Sequence, residues 1–306
     1  MRALLLLISL SLPLGGLLAQ QMAPAGEDAL TAETIMARVA ANQDQAESLR
    51  SHYVYVQHAH VVSRKGKSVR CEETTDMRVV PTEKGSKQEL LKLDGRLWFK
   101  HKYVTYDRLP AKKDTGKSEV DADKNDVHAE IDNDETMDRD LVENMRGNLV
   151  NSDREDSKDG VGAGLFPLTS KSQKDYTFSL VGRERMNGRD TFHVAFSPKD
   201  KDDFTWKGDA WVDSTAFQPV VVRTTMAKQI PFAVRTLLGT SVPGLGFSVV
   251  YAPQPGGVWF PVTFGTEFKL HVLFFLNRDI TINAENRDFE QTHGTSTIVA
   301  GSAAKQ

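Results

Sequence analysis

Residues 176–222 carry the reading that decides the fold. Tyr176-Thr-Phe-Ser-Leu-Val-Gly-Arg-Glu-Arg-Met186, then Asn187-Gly188, then Arg189-Asp-Thr-Phe-His-Val-Ala-Phe-Ser-Pro198 reads as strand, turn and strand. Asn-Gly is the dipeptide that best tolerates the two positive φ angles of a type I′ turn, whose twist matches the flanking strands. A second unit follows, Lys207-Gly-Asp-Ala-Trp-Val-Asp213, Ser214-Thr215, and Gln218-Pro-Val-Val-Val222. In a strand Trp211 and Val212 take opposite faces. Asp213 and Ser214 supply turn chemistry, because their side chains bond nearby backbone. Pro219 opens the return strand, where a missing N–H is tolerated.

The same period-two pattern extends downstream. Phe247 to Tyr251, Val258 to Glu267, Leu270 to Asn277 and Asp279 to Arg287 read as four further strands. Upstream, Tyr53, Tyr55, Gln57, Ala59 and Val61 share one face of a strand, and Val54, Val56, His58 and His60 the other. Lys65-Gly66-Lys67 is a turn, Val69 to Val80 a second strand and Lys87 to Leu93 a third. Asp94-Gly95 is a hairpin signal, and Arg96 to Tyr106 a fourth strand. Connections this short make neighbouring strands antiparallel. Cys71 lies in the second strand as a half-buried structural residue.

Two helices interrupt the strands. Residues 27–50 form an amphipathic helix with Thr31 as N-cap and Ile35, Val39 and Ala40 at helical spacing. Asp134 to Leu149 forms a shorter one through Met137, Leu141, Met145 and Leu149. Lys112 to Asp134 is charged without a periodic apolar face and reads as an exposed insert, part of a departure from the pattern at about 110–160. The spacing of strands predicts a sandwich or barrel-like sheet.

Composition narrows the partners. The 306 residues are 40% hydrophobic and carry a formal charge of −3; without Arg2 the balance is −3 − 1 = −4. Neither value offers the basic face that nucleic acid requires. A lone cysteine leaves no intramolecular disulfide. Residues 1–19 read as a cleavable Sec leader: Met1-Arg2, an apolar run from Ala3 to Leu18, and Ala19 at the cut, with Ala23-Pro24-Ala25 as a second cleavage signal. The run is short for a bilayer span of about 20 residues. No later window spans either, so the expected location is the periplasm or the outside. The expected organisation is a leader at 1–19, one domain at 27–291 and a flexible tail at 292–306.

The stretch from Tyr176 to Thr225, with its Asn-Gly-Arg hairpin, its strand-ending Pro198 and its Trp211-Val-Asp-Ser-Thr-Ala-Phe-Gln-Pro219 unit, resembles the periplasmic lipoprotein carriers and outer-membrane lipoprotein-sorting proteins, the LolA/LolB-like superfamily. The resemblance implies a mainly β fold with flanking helices (α+β), a strongly curved antiparallel half-barrel with a helical plug. It also implies an apolar cavity for an acyl chain. The function that follows is a periplasmic carrier for a lipid or lipoprotein acyl chain. The alternatives are an envelope protein-interaction or sensor module without lipid cargo and, third, a secreted hydrolase.

Candidate cavity residues come from the bulky strand positions Trp98, Trp211, Trp259 and Phe274, and from an apolar segment holding Phe232, Leu237, Leu238, Leu245 and Phe247. Pro231 to Leu238 reads as a short helix over the cavity mouth, with core as the plain alternative. Trp259 and Phe260 are adjacent, so at most one faces a cavity.

The chain shows no catalytic constellation and implies no cofactor or metal. His58 and His60 share a strand face, but no Cys or H-E-x-x-H spacing joins them, and they read as solvated strand histidines. Asp121, Asp123 and Asn125 resemble a calcium loop only faintly, because Asp126 stands where that loop needs Gly. Gly160 to Gly164 lacks the Lys-Ser/Thr of a phosphate loop. No G-x-S-x-G elbow occurs.

Overall fold

Buried and partly exposed residues alternate from Tyr53 to Val61, and the register carries that buried face across a single sheet. The computed structural model describes residues 30–82, 85–109, 137–149, 166–200, 206–227, 240–241, 245–272 and 276–292. The leader at 1–19, most of the charged insert, all but Thr292 of the tail, and the candidates Phe232, Leu237, Leu238 and Phe274 lie outside them.

Helix α1 (Ala32–Arg50) opens at Thr31, whose Oγ1 accepts the Thr34 N–H at 3.2 Å, the expected cap. Four strands follow, β1 (Tyr53–Lys65), β2 (Ser68–Thr82), β3 (Gly85–Phe99) and β4 (Lys102–Tyr106). Helix α2 (Met137–Leu149) comes next. The second run of strands is β5 (Tyr176–Met186), β6 (Arg189–Pro198), β7 (Trp206–Asp213), β8 (Pro219–Met226), the short β9 (Thr240–Ser241), β10 (Gly246–Pro253), β11 (Trp259–Val272) and β12 (Leu276–Gln291).

All described strands join one 12-stranded sheet in the order β4-β3-β2-β1-β12-β11-β10-β8-β7-β6-β5, with β9 on β11. Each pairing is antiparallel. Two meanders are joined where the first strand pairs with the last, Val61 opposite Ile282. The fold is therefore mainly β with flanking helices, and its sheet is the open antiparallel half-barrel that the sequence led us to expect.

The turns follow their residues. Asn187 and Gly188 have φ of 49° and 79°, as a type I′ turn requires. Asp213 Oδ1 accepts the Thr215 and Ala216 N–H groups at 2.9 and 2.8 Å. Three expectations are corrected. Asp94-Gly95 is not a hairpin: β3 runs straight through it, and the reversal falls at Lys100 and His101, both at positive φ. Gly95 instead admits a ring, because a Cβ there would lie 2.2 Å from Cζ of Tyr106 on the neighbouring strand. Downstream, three expected strands are two, since β11 continues to Val272 and β12 starts at Leu276. The polar run Asn277-Arg278-Asp279 does not end a strand, because Arg278 is buried in an ion pair. Finally, Cys71 is wholly buried rather than half-buried.

Register defines the faces. Tyr55, Gln57, Ala59, Val61 and Ser63 are buried on β1, in line with Cys71, Glu73, Thr75 and Val79 on β2 and Ile280, Ile282 and Ala284 on β12. The row continues through Val249, Val222, Ala210 and Val194, all of which are inaccessible to solvent. Both helices lie on this face. Ser63 reaches Asp138 of α2 at 2.7 Å. On the other half, Phe192 stacks on Phe217 at 5.9 Å, over which Arg38 of α1 sits at 4.6 Å. α1 is tied down by Asn42, which donates to the Ala216 and Phe217 carbonyls, and by the buried Arg50, which donates to the Trp259 carbonyl.

The opposite face is charged near β1. His58 Nδ1 lies 2.7 Å from Asp76, which Arg287 also reaches at 3.1 Å. His60 Nε2 lies 2.8 Å from Glu72, which also accepts from Arg96. The expected solvated histidines thus pair with carboxylates one strand away. Glu72 and Glu73 are neighbours on opposite faces, and their acidities diverge. Burial pushes Glu72 up, but hydrogen bonds from His60 and Arg96 outweigh it and hold the carboxyl below its ordinary value. Burial raises Glu73, and its partners do not cancel that. A depressed carboxylate stabilises the fold above its unfolded pKa, and this is lost as pH falls through the folded value. Glu72→Gln is therefore expected to flatten the fall of stability below about pH 4.3, measured by urea unfolding at several pH values. An unchanged acid limb would show that Glu72 contributes nothing there.

Candidate functional site

The helix-covered face combines an apolar field with a buried charged seam. The field under α2 contains Val61, Leu97, Phe268, Leu270, Ile280 and Ile282 from the sheet, with Val142 of α2 packed into it. Met137, Leu141 and Met145 of α2 are half-buried against the same cluster, as are Leu245 and Phe264. Toward the second meander, Phe264 meets Phe247 at 5.2 Å between centroids, and Phe247 meets Trp206 edge-on at 4.7 Å. These three aromatic residues form a continuous run across β11, β10 and β7, and each is only partly buried. A separate cluster of Tyr53, Tyr55, Val79, Val258 and Phe260 is fully closed.

The charged seam holds α2 to the sheet. Arg278 donates from Nε and Nη2 to the two oxygens of Asp138 at 2.6 and 2.8 Å, and Ser63 donates to Oδ1. Both Asp138 and Arg278 are 2% exposed. A second group lies along the helix at Arg139, Glu143 and Arg146. Arg146 donates to Glu73 at 2.5 Å, and Tyr106 donates to the same carboxylate at 3.1 Å. Arg139 sits 3.9 Å over the Tyr106 ring. Cys71 lies 3.4 Å from the Tyr106 hydroxyl, and burial pushes its thiol up to about 12. At that value the thiol stays protonated near neutral pH. Among the described residues, no three His, Cys, Asp or Glu side chains gather at metal-binding distance.

The sequence-derived candidates divide by face. Leu245 and Phe247 fall in the half-buried apolar field. Trp98 lies on the other side, edge-on to Tyr103 at 5.0 Å, because Leu97 takes the inner position. Trp211 is also on the other side, since Ala210 and Val212 face inward. It stacks on His193 at 4.6 Å and donates to Glu184. Trp259 is buried with Arg189 over its ring at 4.8 Å. These three do not meet Leu245 and Phe247 in one lining. The seam at α2 escaped the sequence reading. Its one legible signal was a charge in the wrong phase, Glu73 in line with Cys71, Thr75 and Val79.

One open antiparallel sheet carrying its helices on one face defines the architectural class of this chain. No protein-family model matches it, and no curated protein does. Several solved structures are similar in fold. One is a putative outer membrane lipoprotein-sorting protein domain from Vibrio parahaemolyticus, 11% identical over 87% of this chain and 95% of that one, at a TM-score of 0.38. A DUF1329 family protein from Desulfovibrio piger is 11% identical over 87% and 95%, at 0.39. A LolA superfamily protein from Nitrosomonas europaea is 11% identical over 88% and 97%, at 0.34. Among the described residues, no helix is long and apolar enough to cross a membrane.

Proposed function

We propose that this protein is an exported binding protein that shelters the acyl chain of a lipid or lipoprotein on the helix-covered face of its sheet. The observation that carries the reading is the partly buried run Trp206, Phe247 and Phe264, continuous with Leu245 and the apolar field under α2. Fully packed cores exclude solvent from their aromatic rings, whereas a ligand site keeps apolar surface within reach. Each buried methylene would contribute roughly 0.8 kcal/mol, so a long chain suffices for tight binding.

Native mass spectrometry of protein purified without detergent is expected to show a bound lipid. Phe247→Asp, which puts a charge into the aromatic run, is expected to remove it while the fold persists. Lipid-free protein that also binds no added amphiphile would overturn the reading. Docking of an envelope protein is the second reading, and it has its own observation: Leu180 and Val181 are 42% and 58% exposed at a bulge in the edge strand β5.

A further inference from the structure

We infer that Ser63, Arg70 and Arg278 form an oxyanion site for the carboxylate of a fatty acid, and that Asp138 fills this site as an internal stand-in. The inference rests on the acyl-binding reading and adds the ligand's head group to it.

The site is built for a carboxylate. Arg278 presents its fork, Nε and Nη2, to both oxygens of Asp138, the planar match that distinguishes guanidinium from ammonium. Its remaining Nη1 donates to the Asn277 carbonyl. Ser63 adds a hydroxyl donor at 2.7 Å. Arg70 brings a second guanidinium, with Nε 3.7 Å from Asp138 Oδ2, outside hydrogen-bond reach, and that buried nitrogen has no hydrogen-bond partner. Two guanidinium groups therefore converge on one carboxylate. A free carboxylate is not constrained by a helix backbone and can move toward Arg70 as well as Arg278.

The occupant already has the pattern of a fatty acid. Behind the Asp138 carboxylate, α2 presents Met137, Leu141, Val142 and Met145 to the apolar cluster. A fatty acid would place its head on the arginines and its chain where these side chains lie. The path continues beyond them. Leu270 stands opposite Arg278, then Phe268 opposite Ile280, Thr266 opposite Ile282 and Phe264 opposite Ala284. At about 3.3 Å per residue, Arg278 to Ala284 spans about 20 Å, and it ends at the aromatic run of Phe264 and Phe247. Buried ion pairs seldom stabilise more than apolar residues of the same volume. A role in recognising an oxyanion accounts for charges that stability alone does not require.

The test titrates the full chain with oleate and with oleyl alcohol, which share a chain and differ in charge, each below its aggregation concentration and followed by calorimetry. Wild-type protein is expected to bind oleate at least about tenfold more tightly, a difference of about 1.4 kcal/mol. Arg70→Gln should remove most of that preference and leave the alcohol's affinity unchanged. Asp138→Asn, which vacates the charge, should tighten oleate about tenfold. Oleate should also speed amide hydrogen exchange across residues 137–149. Should Asp138→Asn not fold, Arg70→Gln still decides, because Arg70 makes no close bond to Asp138. Equal affinities for the two ligands, unchanged in Arg70→Gln, would overturn the head-group site and leave acyl binding standing. Binding of neither would overturn both.

Discussion

Asp138→Leu is expected to lower the unfolding free energy by about 3–5 kcal/mol, the usual cost of removing one partner of a buried ion pair. The carboxylate is buried between two donors, Arg278 and Ser63, with the Arg70 guanidinium 3.7 Å away. Its removal leaves the Arg278 guanidinium, itself 2% exposed, with the Asn277 carbonyl as its acceptor among the described residues. Arg278→Leu should cost less, because Arg70 remains near the stranded carboxylate. The double variant Asp138→Leu, Arg278→Leu should return close to wild-type stability, since two apolar side chains would join Val142 and Ile280 without a desolvated charge. Urea unfolding tests this through the midpoint at constant slope. Additive losses in the double variant would contradict it, because they would mean that each side chain contributes by packing and not through the pair. The outcome also bears on how α2 is held. An apolar helix face has no soluble alternative to its groove, whereas a face carrying Asp138, Arg139 and Arg146 does.

The sequence made the strands legible because alternation and turn residues are local. Asn187-Gly188 turns on its own two φ angles, Asp213 and Thr31 each bond within four residues of themselves, and each is found where the residues demanded. Asp94-Gly95 carried the same local signal but lost to a distant one, the Tyr106 ring that needs a bare Cα beneath it. The site was less legible. Ser63, Glu73, Asp138 and Arg278 come from four elements, and their pairing depends on the register of β12 on β1 and on where α2 lands. Hydrophobicity alone also cannot assign a face where consecutive strand residues are buried, as they are along β7 and β8. Trp211 is as apolar as Phe247, yet their strands present them to opposite faces.

Trp211→Asp is the substitution that separates those faces by experiment. Trp211 is buried between His193, stacked at 4.6 Å, and Arg223, whose guanidinium lies 5.0 Å from its ring, while its N–H bonds Glu184. Removing a buried indole costs about 3–5 kcal/mol, and a new carboxylate would sit beside Glu184 and Asp209, which already flank His193. At about 2–4 °C per kcal/mol for a chain of this size, the melting temperature should fall by roughly 6–20 °C. Trp211→Phe keeps the stack and should lose far less. Because Trp211 faces away from both helices, Trp211→Phe should bind an added amphiphile as wild-type protein does, whereas Phe247→Asp should not. A Trp211→Phe protein that melts normally but no longer binds would move the ligand to the other face of the sheet. The contrast depends only on strand alternation: Val212 and Ala210 are buried toward the helices, so the residue between them is not.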